Sequence, residues 1–224
     1  MRDLRHLLVA VAMVAAMPAQ AASFNCSKAA TAVERAICDN PELSELDSAA
    51  ALYYRNAQDT LPGAKACLLA DQRAWLQLRN RCADAACLKD LYLNRLAELD
   101  KAQPARRAGE PMALPARSFL VGIIPPTDRA PDPVESDPAR ATPLDITGAL
   151  TEGEGGFIFT APDGRAIVLM TWYIEPTALE QLRAAMMTPG TRFAVRGFAG
   201  RNSASGQSYI EPRRCTFVYQ LPTP

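Results

Sequence analysis

Between Ala70 and Leu88 the chain reads ADQRAWLQLRNRCADAACL, which gathers Asp71, Gln72, Arg73, Trp75, Arg79, Cys82, Asp84 and Cys87 into nineteen residues. Two carboxylates that face one bond can share acid–base work. Two thiols can hold zinc or exchange electrons. The rest of the sequence meets the demands of neither chemistry. Asp71 and Asp84 stand thirteen residues apart with a turn between them, and their spacing does not make them converge. No CxxC occurs, and the sole histidine, His6, falls in a leader-like segment. Serine–histidine catalysis, cysteine–histidine catalysis and histidine-ligated zinc are therefore excluded from the remaining chain. Glu152 and Glu154 sit among glycines in TEGEGG, the composition of a strand turn. The expectation is a protein without catalytic residues, cofactor or metal.

That leader-like segment covers residues 1–21. Arg2 and Arg5 precede an apolar core from Leu7 to Met17, and Ala19-Gln20-Ala21 offers a small-residue cleavage pattern. The core is shorter than the about 20 apolar residues that a membrane span needs. Ser23-Phe24-Asn25 before Cys26 is not a lipobox. A signal peptide cleaved near Ala21, a periplasmic location and no lipid anchor are expected. Loss of Arg2, Arg5 and Asp3 moves the formal charge from zero to −1. Such a balance argues against nucleic acid as partner, and no later segment reads as a membrane span. In an oxidising compartment the six cysteines, Cys26, Cys38, Cys67, Cys82, Cys87 and Cys215, default to disulfides.

The elements that must position these residues are helical at first. Thr31-Ala-Val-Glu34 is a capping box, which predicts a short helix ending near Cys38. Asn40-Pro41 opens a second, with Leu43, Leu46, Ala50, Tyr53, Tyr54 and Ala57 at helical spacing until Leu61-Pro62-Gly63 breaks it. A third is expected over about 64–81 and a fourth over about 84–99, with Leu88, Leu91, Leu96 and Leu99 as its buried stripe. Short connections favour an antiparallel bundle over residues 22–101. Residues 102–143 read as a linker, because nine prolines fall between Gln103 and Pro143. Within it SFLVGII, residues 118–124, is a candidate strand. Residues 144–220 hold five strand-like runs: LDITGAL, GGFIFTA, RAIVLMTWY, TRFAVRGFAG and SYIEPRRCTFVYQ. A helix, TALEQLRAAM, follows the third. That order is the order of an OB-fold, with another small α+β domain as the alternative. The fold class expected is thus α + β in two domains, a disulfide-stapled antiparallel helical bundle followed by a small OB-fold-like β-barrel.

On the third helix, Leu68, Gln72, Trp75, Leu76 and Arg79 share one face. Trp75 is then a core anchor. An unpaired Gln72 amide in that stripe would cost about 1–3 kcal/mol, so an interhelical hydrogen bond is expected. Antiparallel pairing brings Arg79 alongside Asp47, where an ion pair orients the second and third helices. Asp71 and Arg73 lie off the face and read as solvated. Cys38, Cys82 and Cys87 all fall near one junction. Two disulfides are expected among Cys26, Cys38, Cys82 and Cys87. Three connectivities are open, with bonds crossing between the early and late pairs slightly favoured.

SFNCSKAATAVERAICDNPELSELD, then YYR, then LLADQRAWLQLRNRCADAACLKDLYLNRLAEL resembles the LprI-like family of secreted bacterial proteins over about residues 23–100. The pattern C…T-x-x-E…I-C…P-E-L…L-D, Y-R, Q-R-x-W…R-x-x-C…C-L is met throughout. The resemblance marks Asp47, Tyr54, Gln72, Arg73, Trp75 and Arg79 as motif residues, mainly structural. Cys67 departs from the pattern and either stays free or pairs with Cys215. The family takes its name from a lysozyme inhibitor, so the resemblance implies non-covalent occlusion of C-type lysozyme. The alternative is an envelope module that binds another protein or a cell-wall component. In SASGQSY, Ser205, Gly206 and Tyr209 also resemble the Ser-Gly-x-x-Tyr signature of membrane-bound inhibitors of C-type lysozyme, though serine and glycine are ordinary in loops.

Overall fold

The structure, a computed structural model, describes residues 22–104, 118–126, 141–154, 156–171, 174, 176–202 and 205–222. Residues 1–21, where a signal peptide is expected, and most of the proline-rich stretch lie outside the described residues.

Four helices come first: α1 (Ala32–Asp39), α2 (Pro41–Thr60), α3 (Lys65–Arg79) and α4 (Ala85–Leu99). Their starts are set by side chains that satisfy the free N–H groups of a first turn. Thr31 Oγ1 accepts from the Glu34 N–H at 3.1 Å, and Glu34 accepts in return from the N–H groups of Thr31 and Ala30, both at 2.8 Å. Asn40 caps α2 ahead of Pro41, and Asp84 caps α4 through the Cys87 N–H at 2.8 Å. The helices pack around Ile37, Leu43, Trp75, Leu88, Tyr92 and Leu96. Tyr92, not Leu91, fills the middle of the α4 stripe, since the 3.6-residue repeat from Leu88 lands on 92.

Strand β1 (Phe119–Ile124) follows, then β2 (Thr142–Gly153), β3 (Gly156–Thr160), β4 (Ala166–Leu169), helix α5 (Pro176–Met186), β5 (Phe193–Arg201), β6 (Ser208–Ile210) and β7 (Thr216–Gln220). Pro162–Gly164 makes the β3–β4 turn, with Gly164 at φ +83°. The sheet runs β1-β7-β5-β2-β3-β4-β6, and β6 also pairs with β5, so five strands close into a barrel. The β4–β6 contact is parallel and every other pairing antiparallel. Barrel residues Phe157, Phe159, Phe193 and Val195 pack with Leu182 and Ala185 of α5 in one core.

One expectation changes here. SYIEPRRCTFVYQ is two strands, not one. Pro212 has no N–H to give a ladder. Glu211 is buried and paired with Arg213 at 2.7 Å, which holds a turn in mid-run. β6 and β7 therefore lie end to end along one edge of β5. Splitting lets β6 reach β4 while β7 reaches β1.

The helices and the barrel share a second core. Leu61, Leu68 and Leu99 pack with Leu120 and Ile123 of β1 and with Phe217 and Tyr219 of β7. β1 serves both sides: Leu120 and Ile123 face the seam and Val121 and Ile124 the barrel core, a three-residue spacing that the irregular register between Leu120 and Gly122 allows. A disulfide between Cys67 on α3 and Cys215 before β7 crosses the same boundary.

The favoured crossed pairing of the other four cysteines is overturned. Cys26 bonds Cys38, and Cys82 bonds Cys87. α1 does lie against the Cys82–Leu88 turn, with Val33 and Leu88 in one cluster. Each bond, however, brackets a local reversal: the chain entering α1, and the α3–α4 turn. Local folding brings the partner Cα atoms to 5.7 and 5.5 Å, within bonding range.

Backbone hydrogen bonds from Thr31 and Ala30 hold the Glu34 carboxyl below its ordinary value of 4.5. A depressed carboxylate stabilises the fold above its unfolded pKa, and that contribution disappears as pH falls through the folded value. An NMR titration should find Glu34 titrating below 4.5 in the native protein, and Thr31→Ala, which removes the lesser side-chain hydrogen bond and keeps both backbone donors, should move it upward only slightly. Replacing both Cys67 and Cys215 by Ala removes a bond spanning 148 residues and should lower unfolding free energy by about 2–4 kcal/mol. In urea, circular dichroism and fluorescence should still report one coincident transition, because the shared core remains.

Candidate functional site

Trp75 is 7 % exposed and sits between two guanidinium groups, with Arg79 and Arg95 each 5.9 Å from its ring centroid. The Tyr92 ring meets it edge-on at 5.3 Å. This stack separates two polar networks.

The first centres on Asp47 of α2. Its Oδ1 accepts from Tyr92 Oη at 2.7 Å and from Arg79 Nη1 at 3.5 Å. Its Oδ2 accepts from the Ser23 N–H at 2.8 Å and from Ser23 Oγ at 2.5 Å. Both ion-pair side chains are nearly enclosed, at 10 % exposure for Arg79 and 5 % for Asp47. Burial, reinforced by the Asp47 carboxylate, raises the Tyr92 phenol far above its usual range, so it stays a hydrogen-bond donor.

The second centres on Arg95 of α4, whose side chain is 2 % exposed. It donates to Asp71 Oδ2 at 2.5 Å and Glu98 Oε2 at 3.2 Å, and to Gln72 Oε1 from Nε at 3.1 Å and Nη2 at 2.8 Å. Arg196 of β5 reaches the same carboxylates, Asp71 at 3.7 Å and Glu98 at 3.5 Å, while lying 4.7 Å over the Tyr219 ring. An α3–α4 clamp thereby also ties the helices to the barrel.

Asp47, Gln72, Trp75 and Arg79 are thus brought together, while Tyr54 and Arg73 stay toward the surface. Asp71 is not solvated as expected. It is 11 % exposed between two arginines, because the barrel covers a helix flank that periodicity alone assigns to water. Arg95, Tyr92, Glu98 and Arg196 escape the motif reading. Arg95 carried a signal, since it lies within the apolar repeat Leu88, Tyr92, Leu96, Leu99, where an arginine requires carboxylate partners. Arg196 carried none, because its partners lie in a distant part of the chain.

The three residues of Ser205-Gly206-x-x-Tyr209 do not share one exposed surface. Ser205 and Gly206 are exposed in a turn, whereas Tyr209 is 3 % exposed on β6 with its ring over Gly200. Strand alternation and the absence of a Cβ at Gly200 draw the ring onto the sheet.

The carboxylates around Trp75 are neutralised by guanidinium groups, an arrangement suited to holding helices in place. All six cysteines are disulfide-bonded. Among the described residues no cluster of His, Cys, Asp or Glu is placed to hold a metal ion, and no helix is long and apolar enough to cross a membrane. Two clefts flank the stack. One, of about 450 Å³, opens between α2 and α3; the other, of about 420 Å³, lies where α3 and α4 meet β2 and β5.

The chain is similar to Lipoprotein LprI of Mycobacterium bovis and of two strains of Mycobacterium tuberculosis. Each is 33 % identical over 92 residues, covering 39 % of this chain and 46 % of the relative. The chain therefore spans about half the length of the curated relatives it matches. This likeness supports an LprI-like relationship. No family model matches the chain, and no solved structure does.

Arg95→Ala leaves the half-buried Asp71 and Glu98 with Arg196 as their remaining cation and should destabilise the protein by about 1–3 kcal/mol. Arg95→Lys cannot reproduce the three-way fork and should recover less than half of that loss. Urea denaturation of both variants checks the order; equal stability of wild type and Arg95→Lys would contradict it.

Proposed function

We propose that this is a periplasmic, non-enzymatic protein that inhibits C-type lysozyme by binding and occlusion. The observation that carries the reading is the likeness to Lipoprotein LprI, since the family resemblance implies lysozyme inhibition. The inward placement of Asp47, Gln72, Trp75 and Arg79 supports it: these residues build a scaffold and leave the surface to do the binding. A signal peptide over residues 1–21 and delivery to the periplasm are part of the proposal, as is an OB-like barrel over residues 144–220. The order β2-β3-β4-β6-β5 with α5 between β4 and β5 agrees with that barrel.

For the contact face, the reading favours the cleft between helices and barrel. Its lining includes Asp71, Glu98 and Asp145 against Arg95 and Arg196, a balance of −1, with Leu78 exposed at its edge. Asp145 makes no ion pair among the described residues. Lysozyme is strongly basic, and a cleft with a spare carboxylate suits a lysine or arginine of such a partner. A second reading, an envelope module with another protein or cell-wall partner, is favoured by one fact: the matched share, 39 % of the chain, leaves room for a barrel with a partner of its own.

Titrating purified mature protein into human and hen lysozyme tests the first reading. Turnover should fall in a saturable, salt-sensitive manner, and Asp145→Lys should weaken inhibition about tenfold or more through like-charge repulsion. Unchanged turnover at micromolar excess would overturn it.

A further inference from the structure

The cleft between α2 and α3 is unlike the one facing the barrel. Its charged lining residues are Asp47, Arg55, Arg73 and Arg79, which sum to +2. Asp47 and Arg79 neutralise each other. The surplus therefore rests on Arg55 and Arg73, both exposed and both without an ion pair or hydrogen bond among the described residues.

The two charges share one end. Asp47 near the start of α2 lies beside Arg79 at the end of α3, so the helices run in opposite directions. Arg55, two turns beyond Asp47, then falls toward the Leu69–Arg73 end of α3. Tyr54, Arg55, Gln72 and Arg73 all line the same cleft. Between this cationic end and the Ser23–Asp47 lock the walls are Ala50, Ala51, Leu69, Leu76 and Trp75. At 1.5 Å rise per residue, Asp47 to Arg55 spans about 12 Å.

Two donors of residues that line this cleft lack acceptors among the described residues, although Trp75 lines the barrel-facing cleft as well. The Gln72 amide oxygen is taken by Arg95, and its Nε2 hydrogens have no partner among the described residues. The Trp75 indole N–H is enclosed and likewise unpaired. An N–H taken out of water without an acceptor is costly, so the enclosed indole calls for a partner, and the Gln72 amide is free to supply a hydrogen bond to a ligand.

We propose that the α2–α3 cleft binds a small amphiphilic carboxylate, with its anionic head between Arg55 and Arg73 beside the Gln72 amide and its apolar body along Ala50, Ala51, Leu76 and Trp75. The volume, about 450 Å³, falls in the range of small-molecule sites. Charge selects an anion. A planar carboxylate matches guanidinium geometry. The mid-cleft walls select an alkyl or aryl body over a peptide, whose N–H and C=O groups would be buried there without partners. This site is independent of lysozyme inhibition, and either reading can fail alone.

The test uses full-length mature protein with Trp172→Phe, which leaves Trp75 as the only tryptophan reporter. Sodium decanoate, decanol and decylamine are titrated in turn below their micelle concentrations, with fluorescence and calorimetry as readouts. Decanoate should bind saturably at one site and shift Trp75 emission. Decylamine should not bind. Arg55→Gln with Arg73→Gln should weaken decanoate about tenfold or more, and Ala51→Leu should block it by filling the groove while leaving the melting temperature within a few degrees. Equal binding of decylamine, an unchanged affinity in the double arginine variant, or no saturable decanoate binding would each overturn the proposal.

Discussion

An indole held between two guanidinium groups is the arrangement on which the helical half depends. Arg79 and Arg95 approach Trp75 at the same distance, and each is anchored by carboxylates from a different element. Arg79 is tied to Asp47 on α2 and Arg95 to Asp71 on α3, so one ring links three helices. Buried ion pairs add little net stability over apolar packing, but removing one member is costly because its partner is left charged in a poor solvent. The consequence is register. α2, α3 and α4 cannot slide past one another without leaving several buried charges unmatched.

The barrel is joined to this arrangement through side chains that do two tasks. Arg196 on β5 lies over Tyr219 and reaches Asp71 and Glu98, the same carboxylates that hold Arg95. Lys101, just beyond α4, meets Gln220 of β7, and its carbonyl accepts from Gln181 of α5 at 3.1 Å. β1 divides its side chains between the two cores. The helices and the barrel therefore share a core, with the Cys67–Cys215 bond at the seam.

That seam creates a second cleft and gives the two sides of Trp75 different characters. Toward the barrel, carboxylates outnumber arginines. Between α2 and α3 the reverse holds, and the walls are apolar. Both follow from one economy of charge. Asp71 and Glu98 are committed to Arg95 and Arg196, while Arg55 and Arg73 make no ion pair or hydrogen bond among the described residues, so each cleft shows only its surplus.

Helix starts, the capping box at Thr31 and Glu34, the Asp47–Arg79 pair and the inward placement of Trp75 and Gln72 were all legible from residue spacing. Each depends on contacts within about one or two helical turns or on the pairing of neighbouring helices, which a 3.6-residue repeat already encodes. α5 between the third and fourth strands was legible for the same reason. The disulfide partners, the split of the last strand run, the burial of Tyr209 and the position of Asp71 were decided only by tertiary structure. Those outcomes depend on which elements meet across long stretches of chain, and local periodicity carries no information about an arginine 125 residues away that covers a carboxylate.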